Sequence, residues 1–102
     1  MQQISVDELK SRMDAGEKLN IIDVREPHEY AEYNIGGKLV PLGNILGMQT
    51  DELEDYKDEE LIVHCRAGSR SAQACNIMSQ MGIRECYNLL GGFTGWKGPV
   101  AN

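Results

Sequence analysis

The sequence predicts an α/β domain with a mostly parallel sheet that is covered by helices on both faces. Short apolar or β-branched runs at residues 19–24, Glu60–His64 and Glu85–Leu89 alternate with segments of helical periodicity. Such alternation is typical of parallel strands joined by helices. Apolar residues make up 41% of the 102 residues and charged residues 25%, which suits one hydrophobic core. We therefore expect residues 1–102 to form a single domain.

The first two helices are predicted from their N-terminal residues. Ser5 and Glu8 have the spacing of a capping box, in which Ser5 caps the first turn and Glu8 reaches back, and the helix should end near Gly16. Pro27 is favoured in a first helical turn, which predicts a helix over residues 27–33.

Shorter elements are expected in the middle of the chain. Leu39 and Val40 predict a brief strand that precedes a turn region at residues 41–43. Either Thr50 or Asp51 should cap a short acidic helix that runs through Tyr56.

Charge and hydropathy exclude several classes of function. The net charge is −6, and no basic patch suited to a nucleic acid backbone is present. No apolar run approaches the roughly 20 residues that cross a bilayer, so no membrane partner is expected. The first residues lack the features of a signal peptide, which predicts a cytoplasmic protein. The three cysteines lack the spacing of a disulfide framework or a zinc site, and no metal or other cofactor is expected.

Cys65 is the candidate nucleophile, because it lies between a predicted strand and a helix expected over residues 71–81. Ligands of parallel sheets bind at the carboxyl ends of the strands. Loop amides and a helix N-terminus favour a thiolate there, and Arg66 and Arg70 would strengthen the effect. Gly68 permits a tight turn, and Ser69 or Ser71 can cap the helix.

Two chemistries use such a loop: attack on a sulfane sulfur and attack on a phosphate ester. Cysteine-dependent phosphatases place five residues between the cysteine and the arginine. Here four residues separate Cys65 from Arg70, and position 71 is serine. The shorter loop favours a smaller group such as one sulfur atom, while a phosphatase or an arsenate reductase remains the alternative.

Four segments in order along the chain carry a resemblance to a known family. The sequence resembles a single-domain rhodanese, a member of the rhodanese-like sulfurtransferases. The segments are Ile21-Ile22-Asp23-Val24-Arg25-Glu26-Pro27-His28-Glu29-Tyr30, then Ile35-Gly36-Gly37 with Val40-Pro41-Leu42, then Cys65-Arg66-Ala67-Gly68-Ser69-Arg70-Ser71, and Leu89-Leu90-Gly91-Gly92-Phe93-Thr94-Gly95-Trp96.

The resemblance implies a rhodanese-like sheet of five mainly parallel strands and a ping-pong reaction. Cys65 would take a sulfur from thiosulfate or a persulfide donor and pass it to a thiol, cyanide or a protein acceptor. Arg66 and Arg70 would hold the sulfonate end of the donor. The amides of the loop and helix start would stabilise the persulfide; these residues are Arg66, Ala67, Gly68, Ser69, Arg70 and Ser71. A sulfur-relay module that mainly docks to a partner uses the same loop, so that interpretation stays open.

The remaining polar residues are expected to be structural. Cys75 and Cys86 are interpreted as buried cysteines, and His64 as a core residue with satisfied hydrogen bonds. His28 should be exposed, and Trp96 should anchor the core. The charged residues near the strand ends are predicted to form an ion-pair network of Asp23, Arg25, Glu26 and Glu29. Asp23 and Arg25 are expected to influence the site through the residues that contact the substrate.

Overall fold

A computed structural model describes residues 2–101 and confirms the predicted α/β class. The strands are β1 (Gln2–Ile4), β2 (Asn20–Asp23), β3 (Lys38–Leu39), β4 (Glu60–His64) and β5 (Glu85–Leu89). The helices are α1 (Val6–Asp14), α2 (Pro27–Glu32), α3 (Leu42–Leu46) and α4 (Ser69–Gln80), with 3-10 turns at Asp51–Tyr56 and Gly92–Gly95. The five strands form one sheet in the order β1-β5-β4-β2-β3, and each pairing is parallel.

The first helices begin where the sequence predicts. The Ser5 hydroxyl accepts the Glu8 backbone N–H at 3.0 Å, so the N-cap is confirmed. The described residues contain no return bond from the Glu8 side chain, so the second half of the capping box is not formed. Helix α2 begins at Pro27 and ends at Glu32, one residue early, because Tyr33 is extended with φ −151°.

Two elements of the fold were not predicted. Strand β1 is short and has one buried apolar residue, Ile4, so period-2 alternation cannot reveal it. Helix α3 follows Pro41 and contains Gly43, and these residues favour a turn over a helix. The segment Asp51–Tyr56 forms as expected, but as a 3-10 helix without a side-chain cap from Thr50.

The prediction that Ser69 or Ser71 caps α4 is wrong. The helix begins at Ser69, two residues before the predicted start, and Gly68 occupies the N-cap with no side-chain hydrogen bond. Gly68 has φ +114°, a conformation that glycine adopts without steric cost. The tight turn therefore comes from backbone geometry, which leaves both serine hydroxyls available for other bonds.

Side chains alternate between the two faces of the sheet and bury a cluster on each. On β4, Leu61 and Val63 join the cluster that packs beneath α3 and α4, whereas Ile62 joins the cluster that includes Leu9 of α1. The predicted helical cover of both faces is confirmed. No helix in residues 2–101 is long and apolar enough to cross a membrane.

The central strand determines where the candidate site lies. Strand β4 has β2 on one side and β5 on the other. The loop that follows β4 is therefore flanked by the chain segments that leave β2 and β5 at the same edge of the sheet. These segments carry the residues that contact the loop.

Candidate functional site

The sulfur of Cys65 lies inside the turn that joins β4 to α4. The Gly68 N–H donates to Cys65 Sγ at 3.0 Å, and the Ser71 hydroxyl oxygen lies 3.4 Å from the same sulfur. The Cys65 residue is 1% exposed, whereas Arg66, Ala67 and Ser69 around it are exposed. The exposed loop side chains thus form a rim with the sulfur at its base.

The surroundings of Cys65 favour its ionised form. Burial by itself raises the pKa of this thiol. The Ser71 side chain and the backbone amides of Ser71, Gly68 and Ala67 have the opposite effect, and together they hold the pKa below its ordinary value. Because the thiolate is the nucleophilic form, these donors prepare Cys65 for attack on an electrophilic atom.

A buried asparagine that the sequence did not single out connects the start of α4 to the loop. Asn88, on β5, is 5% exposed, and its Oδ1 accepts a hydrogen bond from the Ser71 hydroxyl. Its Nδ2 donates to the Gly68 carbonyl at 3.3 Å. The sequence signal for Asn88 was its amide side chain in an otherwise strand-like run, because a buried amide requires hydrogen-bond partners.

The turn Gly92–Gly95 holds the backbone of the loop from the β5 side. The Phe93 N–H donates to the Cys65 carbonyl and the Thr94 N–H to the Arg66 carbonyl, both at 2.8 Å. The C=O and N–H of a trans peptide point in opposite directions. These bonds therefore turn the amides of Arg66 and Ala67 toward the other side of the loop. Gly92 permits the close approach, because a Cβ there would lie 2.6 Å from the Cys65 carbonyl oxygen.

Arg70 was expected to bind an anion, but it is engaged in an ion pair. Its guanidinium donates to both carboxylate oxygens of Glu29, at 2.8 and 3.1 Å. This hydrogen bonding to Arg70 is the main reason that the pKa of Glu29 falls to about 2, despite the opposing effect of burial. The pair joins α2 to α4 beside the loop.

Arg66, in contrast, has no ion pair within residues 2–101 and is exposed. It lines a cleft of about 170 Å³ beside the loop, together with side chains from α2 and from the Gly92–Gly95 turn; these are Arg25, Glu29, Glu32, Tyr33 and Phe93. The two loop arginines therefore differ in what they can do: Arg66 is available to a ligand, and Arg70 is engaged.

The expected ion-pair network forms only in part: Asp23 pairs with Arg25, Glu29 pairs with Arg70 instead, and Glu26 has no ion pair within residues 2–101. Arg25 donates to both carboxylate oxygens of Asp23 at 2.9–3.1 Å, and its Nη2 donates to the Tyr33 carbonyl at 2.6 Å. Its guanidinium also lies 4.7 Å from the centre of the Phe93 ring. Asp23 and Arg25 therefore support the Phe93 segment that holds the loop, and neither side chain forms a hydrogen bond with Cys65 within residues 2–101.

The prediction that His64 has satisfied hydrogen bonds is wrong for one ring nitrogen. His64 is fully buried, and its Nε2 has no hydrogen-bond partner and lies 3.6 Å from Asp23 Oδ2. Burial lowers the pKa of His64, and Arg25 already pairs with Asp23. The lowered pKa favours the neutral imidazole, which forms no ion pair with the Asp23 carboxylate.

The remaining residues of chemical interest lie away from the loop. Cys75 and Cys86 are buried in the cluster beneath α4 as free thiols, and the contact with Cys86, followed by burial, raises the pKa of Cys75. His28 is exposed as predicted, and Trp96 packs against the α1-side cluster. No group of three metal-ligating side chains occurs in residues 2–101.

Comparisons with known proteins place this geometry in a family. The family model described as the rhodanese-like domain matches residues 5–99. A protein named sulfurtransferase from Allochromatium vinosum is 30% identical over 96 residues, which cover 94% of this chain and 88% of that protein. YrkF of Bacillus subtilis is 34% identical over 99 residues, which cover 96% of this chain but 52% of YrkF, so this chain spans about half of that relative.

A solved structure agrees with the sequence comparisons. The crystal structure of a rhodanese-like domain protein from Staphylococcus aureus superposes with a TM-score of 0.82 at 31% identity. The match covers 95% of this chain and 92% of that one. The chain belongs to the family of rhodanese-like domains.

Proposed function

We propose that the chain is a sulfurtransferase that carries sulfur as a persulfide on Cys65. The donor is thiosulfate or a persulfide, and the acceptor is cyanide, a thiol or a protein. The single observation that carries the proposal is the position of Cys65 Sγ, 3.0 Å from the Gly68 N–H in a turn that lowers the pKa of the thiol. The family membership and the name of the Allochromatium vinosum relative support it.

The proposed reaction has two displacement steps on sulfur. The Cys65 thiolate attacks the outer sulfur of thiosulfate, a new sulfur–sulfur bond forms, and sulfite leaves with the electron pair of the broken sulfur–sulfur bond. The acceptor then attacks the terminal sulfur of the Cys65 persulfide, and the Cys65 thiolate leaves. No electron or proton source outside these partners is required.

The loop residues have distinct parts in this proposal. The amides of Ala67, Gly68 and Ser71 stabilise the thiolate and the anionic persulfide. Arg66 attracts the sulfonate end of thiosulfate, since it is exposed and lines the adjacent cleft. Arg70 holds the loop against α2 through Glu29 and adds positive charge near the sulfur.

Incubation with thiosulfate and cyanide tests the proposal. We expect release of thiocyanate, and a mass increase of about 32 Da on Cys65 when cyanide is omitted, because one sulfur atom is added to the thiol. Cys65→Ser should abolish both signals, whereas Cys75→Ala should keep both. Absence of thiocyanate and of the adduct with thiosulfate and with persulfide donors would contradict sulfur transfer. Aryl-phosphate hydrolysis lost in C65S would instead favour the phosphatase alternative.

We further infer that residues 1–102 form one domain that works in the reducing cytoplasm. The three free cysteines are compatible with that compartment. The near-complete overlap with the Staphylococcus aureus domain supports the domain length. Fluorescent-protein fusions in intact cells test the location, and a periplasmic or surface signal would contradict it.

A further inference from the structure

The hydroxyl of Ser71 has one proton and three neighbouring acceptors. Asn88 Oδ1 is the nearest of them; the Gly68 carbonyl lies at 3.1 Å and Cys65 Sγ at 3.4 Å. A hydroxyl donates one hydrogen bond at a time. Whichever group takes the proton therefore decides whether Ser71 can donate to the sulfur.

The orientation of the Asn88 amide is determined by its second partner. Its Nδ2 donates to the Gly68 carbonyl at 3.3 Å. The flipped amide would place its oxygen against that carbonyl, and two acceptors would then face each other without a proton. Oδ1 consequently faces Ser71, and because it can accept but not donate, the Ser71 proton points toward Asn88.

We propose that Asn88 is a positioning residue that controls the direction of the Ser71 hydroxyl. While Cys65 is a neutral thiol, Ser71 donates to Asn88 and its oxygen accepts the S–H of Cys65. When Cys65 becomes a thiolate, the hydroxyl must leave Asn88 to donate to the sulfur. Asn88 Oδ1 is then left buried without a donor, which costs free energy. Asn88 thus restrains the ionisation of Cys65, in opposition to the loop amides.

The inference rests on the proposed role of Cys65 as the nucleophile, but its test needs no sulfur donor. The measurement is the midpoint pH of Cys65 alkylation by iodoacetamide, followed by peptide mass analysis in Asn88→Leu and the parent protein. Access to the buried sulfur affects the rate of alkylation and leaves the midpoint unchanged. We expect N88L to lower the midpoint by about half a pH unit, which raises the rate below the midpoint about threefold.

A double-mutant cycle with Ser71→Ala separates this role from general support of the loop. In the S71A background no hydroxyl remains to be redirected, so N88L should no longer lower the midpoint. An equal shift in both backgrounds, a rise of the midpoint in N88L, or no shift at all would overturn the inference. A rise is the result expected if Asn88 merely holds Gly68 in place.

A second substitution keeps the test decisive if N88L does not fold. Asn88→Asp preserves size, and its carboxylate holds the Ser71 proton more strongly. It also removes the Nδ2 donor to the Gly68 carbonyl, an effect that does not require Ser71 and is therefore present in the S71A background too. The direct effect of the added charge acts in the S71A background as well. We therefore expect a larger rise of the midpoint with Ser71 present than in S71A, and equal rises would overturn the inference. If the alkylation midpoints behave as expected but the parent protein transfers no sulfur, the proposed function is contradicted and the inference about Asn88 is not.

Discussion

Two arginines of the candidate loop have different environments, although they are four residues apart in the chain. Arg70 is held by Glu29 through two hydrogen bonds, whereas Arg66 is exposed beside a cleft. Their local sequences do not distinguish them. The distinction comes from α2, which brings a carboxylate to one guanidinium and leaves the other unpaired within residues 2–101.

Arg66→Ala should weaken thiosulfate binding without changing the nucleophile. We expect KM for thiosulfate to rise about tenfold, the loss of one charge-assisted hydrogen bond of ~1.5 kcal/mol. The midpoint pH of Cys65 alkylation should stay close to that of the parent. Arg84→Ala is the matched control, because Arg84 is 79% exposed and precedes β5 at the opposite edge of the sheet. Unchanged KM in R66A, or an equal rise in R84A, would contradict the role of Arg66.

The loop residues close to Cys65 in the chain could be predicted, and the distant residues that bind the loop and the start of α4 could not. Gly68 and Ser71 follow Cys65 directly and were identified from the loop pattern. Asn88 reaches Ser71 across 17 residues, and Glu29 reaches Arg70 across 41. One sequence reveals that a buried amide or a carboxylate needs a partner, but the choice of partner depends on how the strands are ordered.

At the level of elements, the four-residue turn that follows β5 orients the loop that follows β4. The Gly92–Gly95 turn donates two backbone hydrogen bonds to the carbonyls of Cys65 and Arg66. This segment is part of the sequence resemblance, but its backbone hydrogen bonds to the loop cannot be predicted from the sequence. Short elements such as β1 and α3 were missed for a related reason, since they are stabilised by packing rather than by a local pattern.

Gly92→Ala should disturb both the stability and the titration of the loop. The new Cβ would lie 2.6 Å from the Cys65 carbonyl, at a residue with φ +52°. We expect a loss of about 1–3 kcal/mol in the free energy of unfolding, measured in urea. The alkylation midpoint of Cys65 should rise, because the loop amides lose their orientation. Gly95→Ala is the control, with its Cβ 3.7 Å from Val6; equal behaviour of the two variants would argue against the bracing role of the turn.

At the scale of the whole molecule, the parallel sheet brings distant segments to one edge. Alternating strands and helices predicted this class of fold, and the positions of β2, β4 and β5 followed from their apolar runs. The order β1-β5-β4-β2-β3 was not predicted from the runs themselves, because parallel strands joined by helices can be arranged in several ways. That order places α2 next to α4 and thereby creates the Glu29–Arg70 pair.

The stability of the folded chain should depend on pH through Glu29. Folding lowers the pKa of Glu29 from 4.5 to about 2, so its ion pair stabilises the protein above the ordinary pKa. That contribution is lost as the pH falls from about 4.5 to about 2. Urea unfolding at pH 7 should show the parent to be more stable than Glu29→Gln, and the difference should shrink over this interval. Glu32→Gln, an exposed position on the same helix with no ion pair within residues 2–101, is the control, and its loss of stability at pH 7 should be much smaller than that of E29Q.

Because hydrogen bonds from other segments fix the backbone of the loop, its exposed side chains can be exchanged without changing the backbone. The Gly92–Gly95 turn, Asn88 and Gly68 position the main chain around Cys65. The side chains of Arg66, Ala67 and Ser69 are exposed. Exchanges at these three positions alter the charge and shape presented to incoming molecules and leave the frame beneath intact. On the proposed function, single substitutions at these positions would change the donor preference, which makes them targets for redesign toward a new sulfur source.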